Sequence, residues 1–130
     1  MFWHAVFALA FLAVSANTAH ADIVIHVTER QEIQSLSGLP LQFPMCAVRG
    51  TITNGGTIDV HRLFFDLVSM PGDRYLVSWG QSDLLVGERA EFETHFDAEC
   101  AGLADKLELE IDLCRLVGGA ECAQSVSLRQ

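Results

Sequence analysis

The chain has 130 residues, with 17 acidic side chains against 8 basic ones and a formal net charge of −9 at pH 7. This balance argues against binding to nucleic acid or to an anionic membrane surface, because both require basic patches. It is compatible with a soluble protein or with a basic partner.

The N-terminal segment has the features of a secretory signal peptide. An apolar run from Phe2 to Ala16 precedes the small-x-small sequence Ala19-His20-Ala21. We therefore predict that residues 1–21 are cleaved and that residues 22–130 form a single periplasmic or secreted domain, with no membrane attachment after cleavage. The alternative is an uncleaved anchor, although the run is shorter than the roughly 20 apolar residues of a spanning helix.

After this segment, alternation of apolar and polar residues predominates, which predicts half-buried β-strands. The first predicted strand is the β-branched run Ile23–Val27. The segment Thr28–Pro44 is polar and then rich in Gly and Pro, so we expect an irregular connection. The second strand runs from Cys46 to a turn at Asn54-Gly55-Gly56, whose residues tolerate positive φ.

Five further strands follow, separated by turn signals such as Met70-Pro71-Gly72-Asp73 and Gly118-Gly119. They are Ile58–Ser69, Tyr75–Trp79, Ala90–Asp97, Leu107–Leu113 and Cys122–Leu128. No segment has a convincing helical period. About seven short strands separated by turns predict an all-β chain with an immunoglobulin-like β-sandwich fold. Six side chains are expected in its core: Phe65, Leu67, Phe92, Phe96, Leu109 and Ile111.

The four cysteines, Cys46, Cys100, Cys114 and Cys122, form an even set in a chain that we expect to be exported. Two disulfides are the expected outcome, and four cysteines allow three connectivities. A structural zinc site is the competing interpretation. It usually requires short Cys–Cys steps, and the cysteines of this chain are widely spaced.

The middle of the chain resembles the FxLYD domain, a small bacterial immunoglobulin-like module. Four segments between Val48 and Phe96 carry the resemblance: Gly50-Thr51-Ile52-Thr53-Asn54, Phe65-Asp66-Leu67-Val68-Ser69 with Gly72, Leu84-Leu85-Val86-Gly87-Glu88, and Phe92. Val68 and Ser69 stand where the family pattern has Tyr and Asp. The resemblance implies the sandwich fold and an extracytoplasmic location, and it carries no catalytic residues.

The topology that the resemblance implies also suggests how the cysteines pair. The strand beginning at Cys46 would lie antiparallel to the strand ending near Asp97, which brings Cys46 toward Cys100. Cys114 and Cys122 would then join across a final hairpin. A simple register of that hairpin places Cys114 opposite Ala123, so a bulge in the turn would have to absorb one residue.

The sequence gives little support for catalysis. It contains no G-x-S-x-G motif, and a Cys–His enzyme needs a free thiolate, whereas all four cysteines are expected in disulfides. We expect instead a small non-enzymatic binding or accessory module, without a cofactor, that contacts another extracytoplasmic protein. Tyr75, Val77 and Trp79 share one face of a predicted edge strand and, with Phe64, would form a hydrophobic contact patch. Alternatively, these side chains pack under a loop such as Leu39–Pro44.

The second functional hypothesis is a metal-binding or hydrolytic periplasmic protein. Its candidate residues are three histidines on three predicted strands and three acids that flank a loop: His26, His61, His95, Asp97, Glu99 and Asp105. The histidines would have to converge to form a site. The acids could hold Ca²⁺, although the chain has no D-x-[DN]-x-[DN]-G loop.

The predicted signal peptide is tested by intact-mass analysis of the protein purified from its own cells. We expect a mature chain that begins at Asp22 and fractionates with soluble extracytoplasmic proteins. Retention of residues 1–21 in a membrane fraction would instead support the uncleaved anchor.

Overall fold

Two β-sheets contain most of residues 21–130, the part of the chain that the computed structural model describes. The strands are β1 (Ile23–Leu36), β2 (Leu39–Asn54), β3 (Val60–Ser69), β4 (Tyr75–Leu84), β5 (Arg89–Phe96), β6 (Glu108–Leu116) and β7 (Val126–Arg129). Short 3-10 helices cover Cys100–Gly102 and Ala123–Ser125. One sheet has the order β5-β2-β1-β7 and the other β4-β3-β6. The predicted all-β sandwich of about seven strands is confirmed, and the predicted signal peptide lies, apart from Ala21, outside the described residues.

Inward-facing side chains of both sheets form one hydrophobic core. Of the predicted core residues, Phe65, Leu67, Phe92 and Phe96 are buried. The rings of Phe65 and Phe92 meet edge to face across the two sheets, with centroids 5.7 Å apart. Leu109 and Ile111 are half-buried instead of fully buried, because β6 is an edge strand and its inner face is covered from one side only.

The expectation of an irregular connection over Thr28–Pro44 was wrong. This segment forms the outer arms of β1 and β2, which pair antiparallel up to a turn at Ser37 and Gly38, both with positive φ. Strand β2 pairs with β5 only from Cys46 to Thr53, so its first residues have a neighbour on one side alone. A strand with one free side tolerates proline, which is why Pro40 and Pro44 do not interrupt β2.

The last strand also differs from the expectation. The chain was expected to return beside β6 as a hairpin, in a register that places Cys114 opposite Ala123. Instead β7 lies in the other sheet, parallel to β1, with Val126 opposite Ile23. Beside β6 there is only an isolated bridge between Arg115 and Glu121. The alternating pattern of β7 is compatible with either sheet. The chain crosses from one sheet to the other after β6, and this crossing places β7 beside β1.

Both disulfides connect the cysteines as predicted, Cys46 to Cys100 and Cys114 to Cys122. Strands β2 and β5 are antiparallel with Cys46 opposite Phe96, so Cys46 lies beside the turn that carries Cys100. The second disulfide closes the return at the end of β6, where the backbone N–H of Cys122 donates to the carbonyl of Cys114 at 3.1 Å.

Phe92 is expected to be one of the main contributors to the core. It is 3% exposed and contacts aromatic rings of the opposite sheet. Phe92→Ala should lower the free energy of unfolding by about 3–5 kcal/mol, because it removes buried surface and leaves a cavity. Phe43→Ala is the matched control, since Phe43 is 70% exposed. A loss below about 1 kcal/mol for Phe92→Ala in chemical denaturation would contradict this placement.

The two disulfides should differ in their contributions. They close loops of 54 and 8 residues. On the chain-entropy account, Cys46→Ala/Cys100→Ala should cost about 4 kcal/mol and Cys114→Ala/Cys122→Ala about 2.5 kcal/mol. Denaturant titrations of both double variants test this, and an equal or reversed ranking would show that loop length does not set their contributions.

Candidate functional site

Strand β4 is an edge strand, with β3 on one side and no hydrogen-bonded neighbour on the other within residues 21–130. The cross-strand partners of Val77 and Trp79 are the buried Leu67 and Phe65. Tyr75, Val77 and Trp79 therefore face the interior, where they are half-buried against the core. At this side of the sandwich the indole of Trp79 lies 6.0 Å from the ring of Phe92 on β5.

Phe64 lies on the opposite, outer face of the same sheet. It is opposite Gly80 and is 37% exposed. A Cβ at Gly80 would come within 2.5 Å of the Phe64 ring, so Gly80 leaves room for this ring to lie across β4. Leu76, 42% exposed, is on the same outer face. The expected patch is thus divided between two faces, and a contact role for Tyr75, Val77 and Trp79 stays a prediction.

The four sheet edges differ in how they are protected against pairing with another chain. Charged side chains line β5 and β6, and β7 is only four residues long. Strand β6 also has a register shift opposite Phe64 and Phe65. Strand β4 has ten residues and no charge or proline before Asp83. Charges, bulges, prolines and short length are the usual protections of edge strands, so β4 is the unprotected edge of the described structure.

Carboxylates surround the outer face next to β4. The hydroxyl of Ser78 donates to Asp66 at 2.5 Å, and Arg74 pairs with Glu110 at 3.2 Å. Desolvation, a hydrogen bond with Asp66 and the negative charges of Asp66 and Glu110 together raise the pKa of the Asp112 carboxyl. Because these carboxyl groups already have partners, we interpret Asp66, Glu110 and Asp112 as a polar border of the β4 edge.

An open cleft of about 500 Å³ lies on the β1-β2-β5 side, next to Trp79. Arg49 is its central charge: it donates to Glu93 and to Gln31, the latter at 2.7 Å, and lies 3.4 Å from Glu29. The hydrogen bonds from Arg49 and from His95 lower the pKa of the Glu93 carboxyl. Pairing with Glu93 raises the pKa of Arg49. The polar groups of the cleft are therefore largely paired with one another.

The structure does not bring the three histidines together. His26 and His95 lie on β1 and β5, which β2 separates, and His95 pairs with Glu93 at 2.9 Å. His61 lies in the other sheet, 3.5 Å from Asp83. Within residues 21–130, no three His, Cys, Asp or Glu side chains are grouped so as to hold a metal ion. The candidate loop acids Asp97, Glu99 and Asp105 are exposed at the end of the sandwich from which the β1–β2 hairpin projects.

Sequence reasoning missed one conspicuous surface, the end of this hairpin. We call residues 33–45 the hairpin tip. It contains no charged residue, and it exposes Leu39 and Phe43 at 70% each. Four residues of β2, 41–44, bulge out between the pairs Ile33–Met45 and Ser35–Pro40. The sequence does contain a signal for this surface, namely a long run without charge in a chain of net charge −9. We did not recognise it because we interpreted the segment as an irregular loop.

Comparisons of the chain with protein-family models, with curated proteins and with solved structures found no match. The resemblance to the FxLYD domain therefore stays a prediction. Among the described residues, no helix has the length and apolar character needed to cross a membrane.

Proposed function

We propose that this chain is an exported, non-enzymatic binding module that contacts another extracytoplasmic protein by strand addition along β4. The observation that carries the proposal is the unprotected β4 edge, which presents a row of backbone N–H and C=O groups without charge, proline or bulge from Tyr75 to Ser82. Strand addition uses this row for affinity and the side chains on either face for specificity.

Both faces of β4 offer apolar contacts to an added strand. On the outer face, Leu76 and Phe64 are partly exposed. On the inner face, the half-buried Tyr75, Val77 and Trp79 form the rim of the core and would be covered further by a neighbouring strand. Aromatic anchors beside a newly paired backbone are typical of the residues that contribute most to binding.

The charge of the chain favours a basic partner. Its net charge is −9, and the outer face beside β4 carries Asp66, Glu110 and Asp112. Arg74 pairs with Glu110, and Arg62 and Arg115 lie at the other end of this face, near Ser82. Complementary charges around an interface accelerate association and select against acidic partners. Two disulfides, a feature of proteins in oxidising compartments, support the extracytoplasmic location.

The proposal predicts that a charge on the β4 edge blocks capture of the partner. In Leu76→Lys an exposed side chain of β4 is replaced by the residue that protects natural edges. Its affinity for the partner should fall by about tenfold or more, which corresponds to about 1.4 kcal/mol. The partner is identified by cross-linking in the protein's own cells, and affinity is then titrated with the purified pair.

Leu85→Lys is the matched control, because Leu85 is 50% exposed but lies in the turn after β4. Both variants should melt close to the unmodified protein. Equal affinity of the two variants would contradict strand addition at β4. Trp79→Ala is a poorer probe, since Trp79 packs against Phe92 and its loss should also lower stability.

A further inference from the structure

The hairpin tip projects from the sandwich without support from a third strand. Pairing of β2 with β5 ends at Cys46, and β1 pairs with β7 only at its start, over Ile23–His26. An isolated two-stranded ribbon is marginally stable in water and gains stability when its apolar side chains are covered. In the tip Leu36, Leu39 and Phe43 are exposed, whereas Ile33, Leu41 and Met45 are half-buried.

The base of the hairpin is acidic, in contrast to its uncharged tip. Glu32 lies opposite Cys46, and the disulfide places Glu99 next to the same point. Asp97 follows Phe96, which is the β5 partner of Cys46. We call Glu32, Asp97, Glu99 and Asp105 the acidic collar.

The nearby cations compensate for little of this charge at the surface. Arg30 directs its guanidinium to the backbone carbonyls of Ala104 and Asp105, both at 2.8 Å, and so fastens the loop to the hairpin base. Lys106 is the one cation within residues 97–107, and it is exposed. A docking partner would therefore meet an apolar projection bordered mainly by carboxylates.

A second copy of this chain does not fit these requirements. Each copy has a net charge of −9, and two tips meeting directly would bring two acidic collars toward each other. The cleft beside Trp79 is bordered by Glu29, Glu91 and Glu93, and its one cation, Arg49, is paired with Glu29 and Glu93, so it offers no free positive charge to an acidic collar. The tip spans only residues 33–45, whereas a standard interface uses roughly 20–30 residues of each partner, so two tips in flat contact would form a small interface.

We propose that the hairpin tip inserts into an apolar groove, bordered by lysine or arginine, on a different extracytoplasmic protein. Insertion into a groove covers the tip from both faces and so buries more of it than a flat contact. Phe43 is the anchor in the groove, and the acidic collar faces the basic border. The proposal shares the exported location with the proposed function, and it does not depend on pairing along β4.

The test begins with a photo-cross-linking benzoylphenylalanine placed at Phe43 of the full-length chain in its own cells. The matched control carries the same group at Val117, which is 57% exposed and follows β6 at the opposite end of the sandwich. We expect one protein adduct from position 43 and none from position 117. The cross-linked peptide of the partner should come from an apolar groove with adjacent Lys or Arg.

Binding of the purified pair then measures the contributions of tip and collar. Phe43→Ser should weaken binding by about 30-fold or more, as for an interface anchor, while Val117→Ser should have no effect. Glu99→Lys should weaken binding several-fold, and raising salt from about 50 to about 500 mM should do the same for the unmodified protein because it screens the collar. Phe43→Ser should melt like the unmodified protein, since the side chain is exposed.

Several outcomes would overturn the proposal: no adduct, equal adducts at both positions, an adduct with lipid or with a second copy, or unchanged binding by Phe43→Ser. Leu76→Lys, titrated against the same partner, separates this proposal from strand addition. If only Phe43→Ser weakens binding, the tip proposal stands and the β4 proposal fails. If only Leu76→Lys does, the reverse holds. If both do, the two surfaces bind one partner.

Discussion

The disulfide between Cys46 and Cys100 lies where β2 leaves the sandwich, and it joins the base of the projecting hairpin to the turn that carries most of the acidic collar. On one side of Cys46, β2 is a central strand between β1 and β5; on the other, it is an arm of the projecting hairpin. The bond fixes the end of β5 and the exposed turn that follows it to the buried Cys46. Together with this bond, the hydrogen bonds from Arg30 to the carbonyls of Ala104 and Asp105 hold the acidic collar at the hairpin base.

A close packing contact at Gly50 lets the two sheets approach on the β4 side. A Cβ there would lie 2.1 Å from the carbonyl oxygen of His26 and 2.7 Å from the ring of Phe92. The missing side chain makes room for Phe92 to enter the core, where it contacts Phe65 and Trp79 of the opposite sheet. This contact keeps the inner face of β4 on the core and leaves its backbone edge open.

Alternation in the sequence was sufficient to predict most of the strands that are covered on one face, and with them four of the six expected core residues. The turn after β2 was predicted from Asn54-Gly55-Gly56, although the tolerance of these residues for positive φ is not what forms it. Asn54 is fully buried: its side chain donates to the carbonyls of Ile58 and Leu84 and accepts from the N–H of Gly56. No positive φ is needed at Gly55 or Gly56. The side chain of Asn54 thus determines this turn.

The features that sequence reasoning could not predict depend on which strands are neighbours. Proline in a sequence argues against a strand, and only the structure shows that β2 has no neighbour from β5 at Pro40 and Pro44. The pattern of β7 is the same whether it pairs with β6 or β1. The inward position of Trp79 follows from its partner Phe65 on β3, a register that alternation alone leaves open by one residue. The sequence therefore predicted the strand that carries the candidate contact residues, but not whether each of their side chains points inward or outward.

The distribution of charge in the folded chain connects the two proposals. Two of the seventeen acidic residues lie on β5 and three on β6, along edges where another chain could pair. The β4 edge and the hairpin tip lack such charges, although each exposes apolar side chains that favour unwanted association. These two surfaces therefore stand out in an otherwise acidic chain, because they expose apolar side chains to water and lack the charges of β5 and β6. A partner with basic borders that covers both surfaces would prevent their unwanted association. Meanwhile the net charge of −9 makes copies of the chain repel one another and so disfavours self-association.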